Sequence, residues 1–180
     1  LVEKNIKPSD IITKDSMRNA IVTDLALGGS TNSILHLLAI ANSGNIDISL
    51  KDFDELSYKI PQIIKLDPSA LPTMNDLHNA GGIPGVMKTL YGNTPELKDT
   101  KGVSGLKISQ IAQAAWVDNT IVHTLDTPIT SNPVLGILKG NLAQDGAVIK
   151  ISWVDLSALT FEGTAKVYNS EEETMEAIDK

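Results

Sequence analysis

The chain has 180 residues, no cysteine and a net charge of −7, with 42% hydrophobic and 21% charged residues. That length and balance suit one ordinary globular domain, or one domain with part of another. The acidic balance without a basic stripe excludes a binder of nucleic-acid backbones, which needs clustered Lys and Arg. The missing cysteines exclude disulfides, a thiolate nucleophile and any Cys-ligated zinc or iron–sulfur site within these residues.

The chain opens on Leu1 rather than Met and stops at Lys180 just after an acidic helix signal, so a piece of a longer polypeptide is expected. No signal-peptide pattern opens it, and a cytoplasmic location (organellar in a eukaryote) is expected. The first helix is predicted over "DSMRNAIVTDLAL", with Gly28-Gly29 as its breaker. Ser30 or Thr31 caps the next helix, where Ile34, Leu35, Leu37, Leu38 and Ile40 run nearly all round, a pattern that predicts burial on every side. The apolar run 34–41 is too short to span a bilayer. His36, inside it, reads as a core histidine bonded to backbone. Asn42-Ser43-Gly44-Asn45 ends the helix.

"SLKDFDELSYKIP" reads as a surface helix with Ser49 and Asp52 as a variant capping box, Phe53, Leu56 and Ile60 inward, and Pro61 as its stop. "IIKL" at 63–66 is expected to be a short buried strand, and Pro68 and Pro72 mark a loop. A short helix over 75–80 ends at Gly81-Gly82, and Pro84 suits the first turn of another, through Leu90. Residues 91–105 read as an exposed connection, and "KISQIAQAA" as a helix with Ile108, Ile111 and Ala115 inward. "DTPITSNP" is a linker. Beyond it, "VLGILKGNLAQDGAVIKI" reads as strand–turn–strand, "TAKVY" as a strand, and "NSEEETMEAIDK" as a helix with a Ser170/Glu173 capping box. A helix-rich unit to residue 125 and the start of a β-rich unit over 126–180 follow.

Two stretches could carry chemistry. Gly28-Gly29-Ser30-Thr31-Asn32 puts backbone N–H groups and three small polar side chains at a helix start, which attracts a carboxylate or phosphate. The same residues also make an ordinary tight turn and cap. No P-loop lysine follows, so nucleotide binding has no support. Asp76 and His78 ahead of Gly81-Gly82 could serve one site from a loop or from the end of a short helix, with His78 as acid, base or donor. The alternative is a capping aspartate and a surface histidine. Three scattered histidines make a poor zinc site, Glu171–Glu173 read as helix-start charge, and no Gly-x-Ser-x-Gly elbow exists.

In order along the chain, "ALGGSTNSILHLLAIA", "TMNDLHNAGGIPGVMKTL", "VLGILKGNLAQDGAVIKIS" and "LTFEGTAKVYNSEEETMEAI" resemble segments of the dihydroxy-acid and sugar-acid dehydratases. The resemblance covers nearly the whole chain. It implies an internal fragment of an α/β fold: the mostly helical end of a larger N-terminal α/β domain, then the first strands of a C-terminal β-barrel. It implies a hydro-lyase that takes water from a 2,3-dihydroxy acid to give a 2-keto acid on the branched-chain amino-acid route. The alternatives are a sugar-acid dehydratase of the phosphogluconate or pentonate type, and an inactive homologue acting as a binding module. An iron–sulfur cluster as Lewis acid, magnesium, and a homodimer come with the resemblance. Their ligands, the Cys-Asp-Lys motif and the Thr-Asp-Gly-Arg serine base are absent here, so no catalytic residue and no metal ligand falls in this chain. Ser30, Thr31, Asn32, Asp76 and His78 are expected to border the substrate pocket, and the partner is a small dihydroxy acid rather than a nucleic acid or membrane. The family's Thr-Gly-Lys-Thr is replaced by Ser104-Gly105-Leu106-Lys107.

Overall fold

The computed structural model describes residues 1–66 and 72–179; of the expected 68–72 loop, residues 68–71 lie outside the described residues. Its elements are α1 (Pro8–Ile11), α2 (Lys14–Ala26), α3 (Thr31–Ser43), α4 (Leu50–Ser57), α5 (Met74–Asn79), α6 (Gly82–Leu90), α7 (Ile108–Ala114), β1 (Leu135–Leu138), β2 (Ala147–Lys150) and α8 (Glu171–Ile178). The chain is thus mostly helical. Among the described residues it carries one sheet, an antiparallel pair with Leu135 opposite Lys150 and Leu138 opposite Ala147. No helix among them is long and apolar enough to cross a membrane.

Helix α2 is the hub. Thr13 and Ser16 exchange bonds at its start, Ser16 N–H to Thr13 Oγ1 at 3.2 Å and Thr13 N–H to Ser16 Oγ at 2.8 Å. Met17, Ile21 and Leu25, with Val22 beside them, form a buried stripe at helical spacing. Around it close Ile34 of α3, Phe53 and Leu56 of α4, Leu77 of α5, Val86 and Leu90 of α6, and Leu135 of β1. Phe53, Leu56 and Ile60 point inward as expected.

Polar tethers hold the periphery to this hub. Arg18 of α2 pairs with Asp52 and Glu55 of α4 and with Glu96. Buried Asn19 donates to the Lys98 carbonyl (2.8 Å) and Thr100 Oγ1 (2.9 Å) and accepts from Lys98 N–H (2.8 Å), satisfying its amide. The 91–105 segment is largely exposed, as expected, but it is tied to α2 through these bonds and through the buried Leu97.

Several other expectations need correction. Ile63 and Ile64 are fully buried but form no strand. Their segment divides its backbone bonds among Ala26, His123 and, through Gln62, Thr130 and Ile129, so no single partner supplies a ladder. Residues 164–168 are exposed and unpaired among the described residues, because a strand needs a neighbour and none lies beside them. In α7 the buried positions are Ile108 and Ala112, with Ile111 and Ala115 half-buried. At α8, Ser170 Oγ accepts from Glu173 N–H, but Glu173 returns its bond to Asn169 N–H. Helix α3 is not buried all round. Ile34 and Ala41 are its buried residues, Leu35 is 68% exposed, and His36 lies at the surface rather than in the core. One side of the helix meets α2 and β2, with Leu37 and Leu38 half-buried against the core, while Leu35 and Ile40 face outward.

Truncating Leu56, which has no solvent exposure, is expected to destabilise the 180-residue chain by roughly 2–5 kcal/mol, and truncating exposed Leu35 by less than about 0.5 kcal/mol, in urea unfolding. Equal costs would contradict this packing.

Candidate functional site

The Gly-Gly-Ser turn joins α2 to α3. Gly29 N–H donates to the Asp24 carbonyl at 2.8 Å and Gly28 N–H to the Leu25 carbonyl at 3.0 Å, the paired bonds of a Schellman helix end. Both glycines have positive φ, +106° and +64°. Neither has room for a side chain: a Cβ on Gly28 would sit 2.6 Å from Gln62 Nε2, and one on Gly29 would sit 2.8 Å from Leu135 Cγ.

Ser30 then caps α3, its Oγ accepting from Asn32 N–H at 3.2 Å. Its own N–H donates to Asp24 Oδ2 at 3.3 Å, while Ser33 Oγ donates to Asp24 Oδ1 at 2.8 Å. One carboxylate at the end of α2 thereby holds the first turn of α3. Burial pushes the Asp24 carboxyl up from its ordinary range, against the opposing pull of Ser33, Ser30 and the Lys150 charge. Thr31 and Asn32 stand exposed on the first turn.

The second stretch is helical. Thr73 caps α5, and Asp76 Oδ2 accepts from Thr73 N–H and Thr73 Oγ1, both at 2.7 Å. These bonds hold the Asp76 carboxyl below its ordinary range. His78 is exposed, and two positions from Asp76 on a helix it faces elsewhere. Gly81 follows at φ +113°, where a Cβ would strike the Trp116 carbonyl. Among the described residues no hydrogen bond joins the Ser30–Asn32 group to the Asp76–His78 group.

A groove of about 590 Å³ lies beside α3, lined by Asp24, Ser33, His36, Leu37, Met87 and Val103 among others, and by none of the five expected residues. Asp24 was not singled out from the sequence. Its signal was there: an acid in the last turn of a helix opposes the helix dipole and needs a local partner. Lys150 was also missed. Its ammonium donates to the Gly29 carbonyl at 2.9 Å across 121 residues of chain, which no local pattern announces.

The chain belongs to the dihydroxy-acid/6-phosphogluconate dehydratase family. Residues 1–111 match the family model described as dihydroxy-acid/6-phosphogluconate dehydratase N-terminal, and residues 120–180 match its C-terminal counterpart. Similar curated proteins are the dihydroxy-acid dehydratases of Methanococcus maripaludis strain C7 (45% identical over 180 residues), Syntrophotalea carbinolica (42% over 179) and Endomicrobium trichonymphae (45% over 178). Each alignment takes in 99% of this chain and 32% of the relative, so the chain spans about a third of the length of the curated relatives it matches.

The two carboxylates should titrate with opposite effects on stability. Asp24, raised above 3.8, favours the fold at low pH, and that contribution is lost as pH climbs through its folded value. Asp76, lowered below 3.8, favours the fold above that pH, and its contribution is lost as pH falls through its folded value. Urea midpoints against pH for Asp24→Asn and Asp76→Asn, each subtracted from the parent chain, should slope in opposite directions; parallel slopes would refute the assignment.

Proposed function

We propose that the intact protein is a dihydroxy-acid dehydratase that removes water from a 2,3-dihydroxy acid to give a 2-keto acid, on the cytoplasmic route to branched-chain amino acids and as a homodimer. The observation that carries this reading is the match along 99% of the chain to proteins of that name at 45% identity. Residues 1–125 then close the N-terminal α/β domain, and 126–180 open the C-terminal β-barrel, with the β1–β2 hairpin as its first strands.

In this reading the Ser30–Asn32 turn and the Asp76–His78 helix border the substrate pocket. Ser30 is committed to its cap, which leaves the exposed Thr31 hydroxyl and Asn32 amide to orient a carboxylate at the start of α3. His78, exposed on α5, donates to a substrate oxygen. The family resemblance also implies an iron–sulfur cluster and magnesium, which polarise the departing hydroxyl when bound. The residues present do not fit either group. The chain has no cysteine, and no set of three His, Asp or Glu among the described residues could hold a metal. In this reading the ligands come from the rest of the intact protein.

A second reading, a sugar-acid dehydratase, is favoured by the family description, which spans dihydroxy-acid and 6-phosphogluconate enzymes. Turnover by the full-length, cluster-reconstituted protein separates the two. 2,3-Dihydroxy-3-methylbutanoate should give a 2-keto acid and 6-phosphogluconate should not. The reverse preference would establish the second reading, and no turnover of either would leave an inactive homologue. His78→Ala in that protein should lower kcat/KM at least about tenfold; unchanged turnover would remove His78 from the pocket.

A further inference from the structure

Two residues of the β1–β2 hairpin converge on Gly29. Leu135 lies against its Cα, where a Cβ would stand 2.8 Å from Leu135 Cγ. Lys150 Nζ donates to its carbonyl at 2.9 Å. The register explains the convergence: Leu135 and Lys150 are directly opposite in the antiparallel pair, so both side chains leave the same face. Leu135 is buried, and the Lys150 stem crosses that face to reach the turn with its charge acting on Asp24. Asp24 in turn holds Ser30 N–H and Ser33 Oγ. The hairpin falls in the part of the chain that matches the C-terminal family model, and the turn in the part that matches the N-terminal one.

We propose that Lys150 is a positioning residue: from the C-terminal segment it fixes the Gly29 carbonyl, and through it sets where Thr31 and Asn32 stand for substrate binding. The inference rests on the reading of Ser30–Asn32 as a pocket wall. A side chain that only braces the fold would alter stability and leave substrate affinity alone. A positioning residue alters affinity while the chemical step, carried by groups elsewhere, proceeds.

The test uses the full-length holoenzyme with 2,3-dihydroxy-3-methylbutanoate. Lys150→Met should raise KM about tenfold with kcat within about twofold, and Lys150→Arg, which keeps a charged donor, should recover most of the loss. Hydrogen exchange at the Gly29 and Ser30 amides should quicken in Lys150→Met and stay unchanged in α4. Asn32→Ala serves as the control for the pocket reading. A KM raised by Asn32→Ala but untouched by Lys150→Met overturns the inference and leaves the pocket reading standing. No change in either overturns the pocket reading. Equal losses in Lys150→Met and Lys150→Arg, together with a lower Tm, reduce Lys150 to a brace and overturn the inference. Should Lys150→Met fail to fold, Lys150→Gln is combined with Asn32→Ala: non-additive effects on KM support positioning, and additive effects overturn it.

Discussion

The backbone at Gly28-Gly29 is the constraint on which the rest depends. Its two positive φ angles turn the chain through the end of α2 and into α3, and its missing side chains let Gln62 on one flank and Leu135 on the other close to contact. The bonds from Gly28 and Gly29 to the end of α2, and from Lys150 to the Gly29 carbonyl, then leave the turn little freedom. Asp24 adds a carboxylate that spans the last turn of one helix and the first of the next. A side chain at Gly29 would press on Leu135 of the hairpin, one at Gly28 would displace the Gln62 amide from the Ile64 carbonyl, and either would be strained at its positive φ.

From that turn the packing follows. Helix α2 lays its buried stripe against α3, α4 and α6, and polar groups on its flank, Arg18 and Asn19, tie down α4 and the 91–105 segment. Among the described residues, Leu35 and Ile40 on α3, and Phe161, 89% exposed, and Val167 further on, are exposed. The curated relatives are about three times as long as this chain.

Local chemistry made much of this readable. The helices with a cap and an apolar stripe, such as α4 with Ser49, Asp52, Phe53 and Leu56, start and face as expected because each signal acts within a turn or two, though α4 ends at Ser57, ahead of Pro61. The hairpin after the linker also stands, though as one pair of strands. Burial was less readable. The run from Ile34 to Ile40 is apolar all round, yet what covers a helix is decided by its neighbours, and only one stripe of α3 has them here. Ile63 and Ile64 show the same limit, since their apolarity foretells burial and not whether a ladder partner exists. At the site, Ser30 as a cap and the glycines as a turn came from local rules. Asp24 needed the dipole argument, and Lys150 needed the register of a hairpin far along the chain.

The central claim is that the turn after Gly29 faces the substrate of a dehydratase. Amide hydrogen exchange in the intact protein, with and without 2,3-dihydroxy-3-methylbutanoate, tests it most directly. The account predicts slower exchange on binding at the amides of Ser30 to Asn32, with the α4 amides unchanged. Exchange at Ser30 to Asn32 that is indifferent to a substrate the protein demonstrably turns over would contradict it.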